Sequence, residues 1–170
     1  MAVRRALVRD QERRPSPGDV SLREVAEEDL PILFEHQQDP EASRMAAFPP
    51  RDREAFMAHW HRILRDEAGT CRTVVVDGQV AGNIVCFQRS GLWEVGYWIG
   101  RDHWGKGVAT RALRDFVRLV PTRPLYGAVV KHNVASIRVL EKCGFVVSDD
   151  ASSATEASAD VEMVLMKLRA

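Results

Sequence analysis

The clearest chemical signal in this sequence is the glycine-rich stretch 99–110, which reads Ile-Gly-Arg-Asp-His-Trp-Gly-Lys-Gly-Val-Ala-Thr. An apolar, strand-like run leads into this stretch, and helical spacing leads out of it. Such a turn exposes unpartnered backbone N–H groups at the positive end of a helix, where they suit a phosphate or pyrophosphate. Gly105 and Gly107 have no side chain to keep an anion from the backbone, and Thr110 adds a hydroxyl donor. We therefore expect an anion site here.

The charge distribution favours a local anion site over a general nucleic-acid surface. The chain has 24 Lys and Arg against 24 Asp and Glu, so its formal charge is zero. Within residues 101–118, five Lys or Arg stand against two Asp, which leaves a local charge of +3. Broad binding to a nucleic-acid backbone needs a basic protein, so no nucleic-acid partner is expected.

Two familiar phosphate-binding motifs fit the stretch poorly. Residues 100–106 match the first seven positions of a P-loop, but the eighth is Gly107 where a Mg²⁺-binding Ser or Thr is needed. A dinucleotide fingerprint needs glycine at the position of Thr110. Neither a nucleoside triphosphatase nor a dinucleotide-dependent enzyme is favoured.

The cysteines and histidines give no metal-binding or disulfide pattern. Three cysteines, Cys71, Cys86 and Cys143, are an odd number without CxxC spacing, and the five histidines form no HExxH motif. We expect no metal and no disulfide framework. No apolar run is long enough to span a bilayer or to form a signal-peptide core, so a cytoplasmic protein without a membrane partner is expected.

The elements that must position the glycine-rich turn follow from periodicity and turn chemistry. Residues 1–20 contain five arginines and few apolar residues, which predicts a flexible leader before a single domain at 21–170. Hydrophobic patterning predicts strands at 20–25, 72–76, 79–88, 92–99, 125–130, 145–147 and 161–168, and helices beginning near 28 and spanning about 56–64, 106–120 and 134–142. This order predicts a mixed sheet with helices on both faces. Residues 149–160 read as an acidic loop.

Two motifs in this order resemble the GNAT superfamily of N-acetyltransferases. They are Trp104 to Ala109 at the helix start, and Asn133 with Ser136 followed by Leu-Glu-Lys-Cys-Gly-Phe at 140–145. The similarity extends over about residues 21–168. Three features resemble the Rim-type branch, which acetylates the N-termini of ribosomal proteins: the Gly-Tyr-Trp-Ile run at 96–99, the aromatic Trp104, and the Asn-x-x-Ser-x-x-x-Leu-Glu-Lys-x-Gly-Phe ending at 133–145. Trp104 stands where the superfamily often has Gln or Arg.

The resemblance implies an α/β (α+β) fold and acetyl-CoA as co-substrate. The sheet would be mixed and mostly antiparallel, with about seven strands, about four helices on its two faces, and strands 4 and 5 parallel and splayed to admit pantetheine. The backbone amides of Gly105, Gly107, Val108 and Ala109, with Thr110, would bind the pyrophosphate. Lys106 and Arg111 are candidate partners for the remaining phosphates, or are ordinary solvated charges.

The resemblance also implies roles for residues near the thioester. Amide formation needs a neutral amine, stabilisation of the tetrahedral oxyanion and a proton for the departing thiolate. Backbone N–H groups at the end of the fourth strand, around Tyr97, Trp98 and Ile99, are candidates for oxyanion and cofactor contacts. Ser136 would supply the proton and Asn133 would orient pantetheine or the acceptor. The alternative is that Asn133 only caps the helix while Ser136 is exposed.

The general base has two candidates. Glu94 is the carboxylate of the fourth strand, and an apolar strand favours a raised pKa for it, whereas His132 stands next to Asn133. Glu94 is alternatively a cross-strand polar residue. An α-amine with a pKa of about 8 is already roughly one-tenth neutral at pH 7, whereas lysine, with a pKa near 10.4, is not. An N-terminal acceptor therefore needs little general base.

The predicted activity is transfer of acetyl from acetyl-CoA to a primary amine by direct attack, with a protein or peptide N-terminal α-amine as acceptor. The alternatives are a small amine such as an antibiotic or polyamine, which the acidic loop 149–160 would attract, and a non-catalytic acyl-CoA-binding module. The sequence leaves open the acyl-chain length and the oligomeric state, a homodimer included.

Overall fold

A mixed seven-stranded sheet forms the centre of the structure, a computed structural model that describes residues 18–150 and 161–169. The strands are β1 (Val20–Arg23), β2 (Thr70–Val76), β3 (Gln79–Arg89), β4 (Leu92–Ile99), β5 (Leu125–Val130), β6 (Val146–Val147) and β7 (Met163–Leu168). They lie in the order β1-β2-β3-β4-β5-β7-β6. Among these described strands all neighbours are antiparallel except β4 and β5. The predicted fold class is confirmed.

The turns of the β2–β3–β4 meander follow from local sequence. Asp77 and Gly78 both have positive φ, of 51° and 78°, and Ser90 and Gly91 repeat this with 48° and 81°. Two consecutive positive φ values belong to the tight hairpin turns that match the twist of the flanking strands. Both hairpins stand where the sequence predicts them.

The described part of the chain contains five α-helices rather than about four. They are α1 (Leu30–Gln38), α2 (Pro40–Ala46), α3 (Arg53–Arg65), α4 (Val108–Leu119) and α5 (Val134–Lys142). The additional helix arises at Pro40, because a residue before proline is disfavoured in the helical region. Asp39 is accordingly extended, with φ −63° and ψ 119°, and its carboxylate accepts the Ala42 N–H at 2.9 Å. The chain therefore ends α1 and begins α2 at once.

The helices cover both faces of the sheet with separate apolar clusters. On one face α1 and α3 bury Leu30, Leu33, Phe56 and Trp60, packed against side chains of β2 and β3. On the other face α4 and α5 pack on the sheet, and their buried residues include Leu113, Phe116 and Leu140. None of the helices within residues 18–150 and 161–169 is long and apolar enough to cross a membrane.

A buried carboxylate joins β1 to the start of α1. Asp29 is 3% exposed and accepts two hydrogen bonds from Arg23, at 2.6 and 2.7 Å, and one from the Thr73 hydroxyl at 2.7 Å. The Arg23 guanidinium, with the Ala26 N–H and the Thr73 hydroxyl, lowers the pKa of Asp29 to about 2. This network ties the first strand to the second across the first helical turn.

Two predicted segments lie mostly outside the described residues. Of the predicted leader 1–20, the structure describes only residues 18–20, where the Gly18 N–H donates to Asp77 at 2.7 Å and β1 begins at Val20. Of the predicted acidic loop 149–160, it describes only Asp149 and Asp150.

Candidate active site

The two parallel strands separate beyond one point of contact, as predicted. Glu94 of β4 pairs with Tyr126 of β5, and no other residue of these two described strands is in register. A cavity of about 140 Å³ lies in the gap, lined by both strands and by Ser136 of α5. Because backbone groups in a sheet normally pair, this gap exposes a polar strand edge of β4 inside the molecule.

The glycine-rich turn folds through two left-handed residues at the end of β4. Gly105 and Gly107 have φ values of 70° and 72°, and a Cβ at either position would meet no atom within 4 Å. The space in front of both residues is therefore open. Gly107 is the N-cap of α4, which begins at Val108 rather than at the predicted Lys106, because a left-handed residue cannot continue the helix. The first residues of α4, Val108, Ala109 and Thr110, line the cleft described below, and the first N–H groups of a helix have no intrahelical partner.

Trp104 braces the same turn. Its indole N–H donates to the Ile99 carbonyl at 2.8 Å, while its ring stays 38% exposed. This bond closes the turn over the end of β4. The aromatic residue at this position therefore has a structural function that the sequence did not reveal.

A cleft of about 560 Å³ connects the turn to α5 and α2. Its lining comprises Ala42, Met45 and Ala46 of α2; Tyr97, Trp98 and Ile99 of β4; His103, Trp104, Gly105 and Gly107 of the turn; Val108, Ala109 and Thr110 of α4; and Asn133 with Ala135, Ser136, Arg138, Val139 and Lys142 of α5. No carboxylate is present in this lining. Most of the residues that the sequence nominated for cofactor binding thus share one cleft.

Two hydroxyl groups meet where the cleft reaches the gap between the strands. The Tyr97 Oη lies 2.6 Å from the Ser136 Oγ and 3.3 Å from the Ser136 carbonyl oxygen. Burial raises the pKa of Tyr97 to about 12, so its hydroxyl is protonated at neutral pH. The close approach of α5 depends on Gly127 of β5, where a Cβ would come 2.9 Å from the Leu140 side chain.

Asn133 caps α5 and lines the cleft at the same time. Its side-chain oxygen accepts the Ser136 N–H at 3.1 Å. Asn133 therefore caps the helix, as the alternative interpretation expects. That interpretation also expects an exposed Ser136, whereas Ser136 is half-buried against Tyr97.

The two cationic side chains nominated as phosphate partners point to backbone carbonyls instead. Lys106 Nζ donates to the Asp102 carbonyl at 2.7 Å. The Arg111 guanidinium donates to the carbonyls of Gly18 and Lys106, at 2.6 and 3.1 Å. Neither side chain lines the cleft. Both brace the turn from outside.

The cations that do line the cleft are Arg138 and Lys142, which the sequence reasoning missed. They lie on one side of α5 with Ala135, at the three- and four-residue spacing that places helical neighbours on a common stripe. Neither forms an ion pair with a carboxylate of the described residues. The spacing of Ala135, Arg138 and Lys142 along α5 was the feature of the sequence from which these two cations could have been predicted.

The two candidate bases lie outside the lining of the cleft. Glu94 is 4% exposed, its Oε2 is 3.8 Å from Arg89, and burial raises its pKa. By strand alternation Glu94 shares a face with Trp98, whose indole N–H donates to the His36 carbonyl of α1 at 3.0 Å. His132 is exposed, with its Nε2 3.1 Å from the Arg44 carbonyl. Neither side chain is hydrogen-bonded to Ser136, whose partners among the described residues are Tyr97 and Asn133.

The arrangement suits an elongated ligand with an anionic portion and a reactive end. Backbone N–H groups and two lysine or arginine side chains stand at one part of the cleft, and the Tyr97–Ser136 pair at another. Within residues 18–150 and 161–169, no group of three His, Cys, Asp or Glu side chains is placed to hold a metal ion.

Comparison with known proteins agrees with this geometry. Residues 19–146 match the model of a family described as an acetyltransferase (GNAT) domain. A curated relative, the uncharacterized N-acetyltransferase p20 of Bacillus licheniformis, is 26% identical over 140 residues, which cover 74% of this chain and 78% of the relative.

Solved structures show the same fold. Spermidine N-acetyltransferase from Vibrio cholerae, solved with CoA and spermine, superposes with a TM-score of 0.74 at 16% identity, covering 88% of this chain and 95% of the other. A GNAT-family acetyltransferase from Bacillus anthracis gives a TM-score of 0.73 at 14% identity, covering 88% and 94%. At these identities the likeness concerns the fold alone.

Proposed function

Because this chain belongs to the GNAT family of acetyltransferases, we propose that its cleft transfers the acetyl group of acetyl-CoA to the N-terminal α-amine of a peptide or protein. The observation that carries the proposal is the continuity of the cleft, which joins the open glycine turn to the Tyr97–Ser136 pair. The Rim-type resemblance of residues 96–104 supports a protein N-terminus as acceptor.

The residues of the cleft fit coenzyme A. The pyrophosphate would be held by the N–H groups of Gly105, Gly107, Val108 and Ala109 and by the Thr110 hydroxyl, since a helix start with open glycines binds such an anion. The space that a side chain at Gly105 or Gly107 would occupy is free. Pantetheine would follow the largely apolar wall toward the gap between β4 and β5.

The transfer needs one bond formed, one broken and two proton movements. A neutral amine attacks the thioester carbonyl, the nitrogen loses a proton, and the departing thiolate gains one. Backbone N–H groups on the free edge of β4 near Tyr97 and Trp98 would stabilise the developing oxyanion. Ser136 would protonate the thiolate and be held in position, or reprotonated, by the Tyr97 hydroxyl 2.6 Å away.

The position of the ionisable groups favours an α-amine over a strongly basic acceptor. An α-amine with a pKa near 8 is roughly one-tenth neutral at pH 7, so attack requires little help from a base. Glu94, buried outside the lining of the cleft and with a raised pKa, is the proposed proton acceptor through an intervening water, and His132 is the second candidate. A polyamine would carry several positive charges into a lining without a carboxylate among the described residues.

The test is acceptor profiling with purified protein and acetyl-CoA. Peptides with a free N-terminus are compared with the same peptides carrying a blocked N-terminus and an internal lysine, with spermidine and with an aminoglycoside. CoA release and mass spectrometry of the acceptor are the readouts. We expect acetylation of free N-termini only.

Other outcomes of the profiling contradict the proposal in distinct ways. Turnover with spermidine or the aminoglycoside alone identifies a small-amine enzyme, in keeping with the activity of the Vibrio cholerae relative. Binding of CoA without turnover on any amine identifies a non-catalytic acyl-CoA-binding module. Absence of CoA binding overturns the assignment of the cleft itself.

A further inference from the structure

Two arginines, Arg51 and Arg62, and one histidine, His59, cluster between the end of α2 and α3. Arg62 Nη2 lies 3.2 Å from His59 Nδ1. Burial and the charges of Arg51 and Arg62 lower the pKa of His59 to about 4. No carboxylate of the described residues lies within salt-bridge distance of either arginine, whereas Arg23 and Arg44 are both ion-paired. The positive potential of this cluster is left unbalanced.

Arg51 is held in place by its backbone. Its N–H donates to the Gln37 side-chain oxygen at 3.4 Å, and its carbonyl accepts from Gln38 Nε2 at 2.9 Å. Gln37 is itself buried in α1. Because both backbone polar groups of Arg51 are bonded to the end of α1, the backbone at this position needs no ordering when an anion binds.

A short aromatic path connects this cluster to the cleft. The Arg51 guanidinium lies 4.7 Å from the centre of the Phe48 ring, and that ring is 6.2 Å from Trp98, edge to face. Trp98 lines the cleft beside the predicted oxyanion donors. Phe48, which follows α2, thus links the cluster to the cleft through Trp98.

We propose that Arg51 and Arg62, with His59 beside Arg62, bind a carboxylate side chain of the acceptor peptide a few residues after its N-terminus. The inference rests on the proposed function and names its substrate class: peptides with acidic N-terminal segments. The path from Trp98 to Arg51 consists of 6.2 Å between the Trp98 and Phe48 rings and 4.7 Å from the Phe48 ring to the Arg51 guanidinium. An extended peptide advances about 3.3 Å per residue, so roughly three residues span this path.

The positive charges of Arg51 and Arg62 favour an anionic side chain over a neutral polar one at this position of the peptide. Two guanidinium groups close to a histidine repel each other, and an arriving carboxylate relieves that repulsion and accepts charge-assisted hydrogen bonds. Phe48 is 37% exposed, so it offers an apolar surface over which the peptide passes.

The test compares peptides that share their first residue and differ at positions 2–5, carrying Asp and Glu, Asn and Gln, or Lys. For the parent enzyme we expect kcat/KM for the acidic peptide to exceed that for the amide peptide by about tenfold, with the advantage falling as salt is added. In the double variant Arg51→Gln/Arg62→Gln the two peptides should differ by less than about twofold, while KM for acetyl-CoA stays unchanged.

Arg65→Gln is the matched control, because Arg65 is the exposed last residue of α3 and forms no ion pair with a described carboxylate. It should retain the preference for the acidic peptide. Equal turnover of acidic and amide peptides by the parent, or an equal loss for both in the double variant, overturns the inference. If instead no peptide is acetylated while CoA binds, the proposed function fails.

A readout independent of turnover uses the histidine within the cluster. Binding of the acidic peptide should raise the pKa of His59, followed by NMR titration of its ring, because a carboxylate favours the charged form. The amide peptide should leave it unchanged. An unchanged pKa of His59 with bound acidic peptide contradicts the placement of the carboxylate.

Discussion

The Oη of Tyr97 lies 2.6 Å from the Oγ of Ser136, so a hydroxyl of β4 and a hydroxyl of the first turn of α5 meet at the gap in the sheet. The two residues are 39 positions apart in the chain. We predict that Ser136→Ala lowers kcat about 100-fold, the lower end of what a positioned proton donor contributes. Tyr97→Phe should lower it by about tenfold, because Ser136 keeps its own proton.

Steady-state kinetics with varied acetyl-CoA check this prediction, and KM for acetyl-CoA should change little in both variants. Ser21→Ala, at an exposed hydroxyl of β1, is the control and should match the parent. A Ser136→Ala variant with parental kcat would exclude Ser136 as the proton donor.

Gly107→Ala should weaken CoA binding by at least about tenfold, because a Cβ would enter the space assigned to the pyrophosphate and the residue would carry a strained positive φ. Gly78→Ala provides a control of equal strain. Gly78 has a φ of 78° against 72° for Gly107, and a Cβ at either site contacts no atom within 4 Å. Calorimetric titration with CoA checks both. Equal affinities in the two variants would mean that the turn does not hold the anion.

Arg138→Gln/Lys142→Gln should weaken CoA binding by about tenfold and reduce its dependence on salt, because these are the lysine and arginine side chains that line the cleft. Quenching of tryptophan fluorescence, with Trp98 and Trp104 in the lining, gives the affinity at several salt concentrations. Arg118→Gln, paired on the surface with Asp115, should behave like the parent. An unchanged salt dependence would refute a role of α5 in holding phosphate.

Glu94→Gln should raise the melting temperature at pH 7. Burial raises the pKa of Glu94 above its ordinary value of 4.5, so the folded protein binds this proton more tightly than the unfolded chain. Stability is therefore lost as the pH rises from 4.5 through the raised pKa. Glutamine does not ionise, so the gain should disappear on acidification toward pH 4.5. Thermal unfolding at several pH values, with exposed Glu54→Gln as control, checks the sign.

Asp29→Asn should destabilise the fold by about 2 kcal/mol at pH 7, since it removes charge-assisted hydrogen bonds from Arg23. Because the pKa of Asp29 is lowered from 3.8 to about 2, the stability it provides is present above pH 3.8 and is lost as the pH falls toward 2. Urea unfolding at pH 7 and pH 3 tests this. Glu41→Gln, in an exposed pair with Arg44, should have a much smaller effect, because exposed ion pairs contribute little.

The local parts of the fold were readable from the sequence because their causes are local. Asp77-Gly78 and Ser90-Gly91 permit the positive φ values of tight hairpins, and both turns occur as predicted. The division between α1 and α2 was missed, although its cause at Asp39-Pro40 is equally local. An apolar stripe that begins at Leu30 reads as one helix until the capping carboxylate of Asp39 is considered.

The sequence predicts the candidate site only where the backbone conformation, rather than the direction of a side chain, defines it. The glycine turn lies between β4 and α4, as its residue types predict. The directions of Lys106 and Arg111 were not predictable, because long flexible side chains reach whichever carbonyls the folded turn presents. The meeting of Tyr97 with Ser136 depends on how α5 crosses β5, which no spacing in the sequence encodes.

The lone register pair between Glu94 and Tyr126 divides the sheet into two mechanical halves, β1–β4 and β5–β7. A thioester substrate lying in the gap would connect the edges of β4 and β5, which the protein itself pairs at only one position. Occupancy of the cleft should then stiffen the whole sheet, with slowed amide exchange appearing in β5 and β7 as well as beside the ligand.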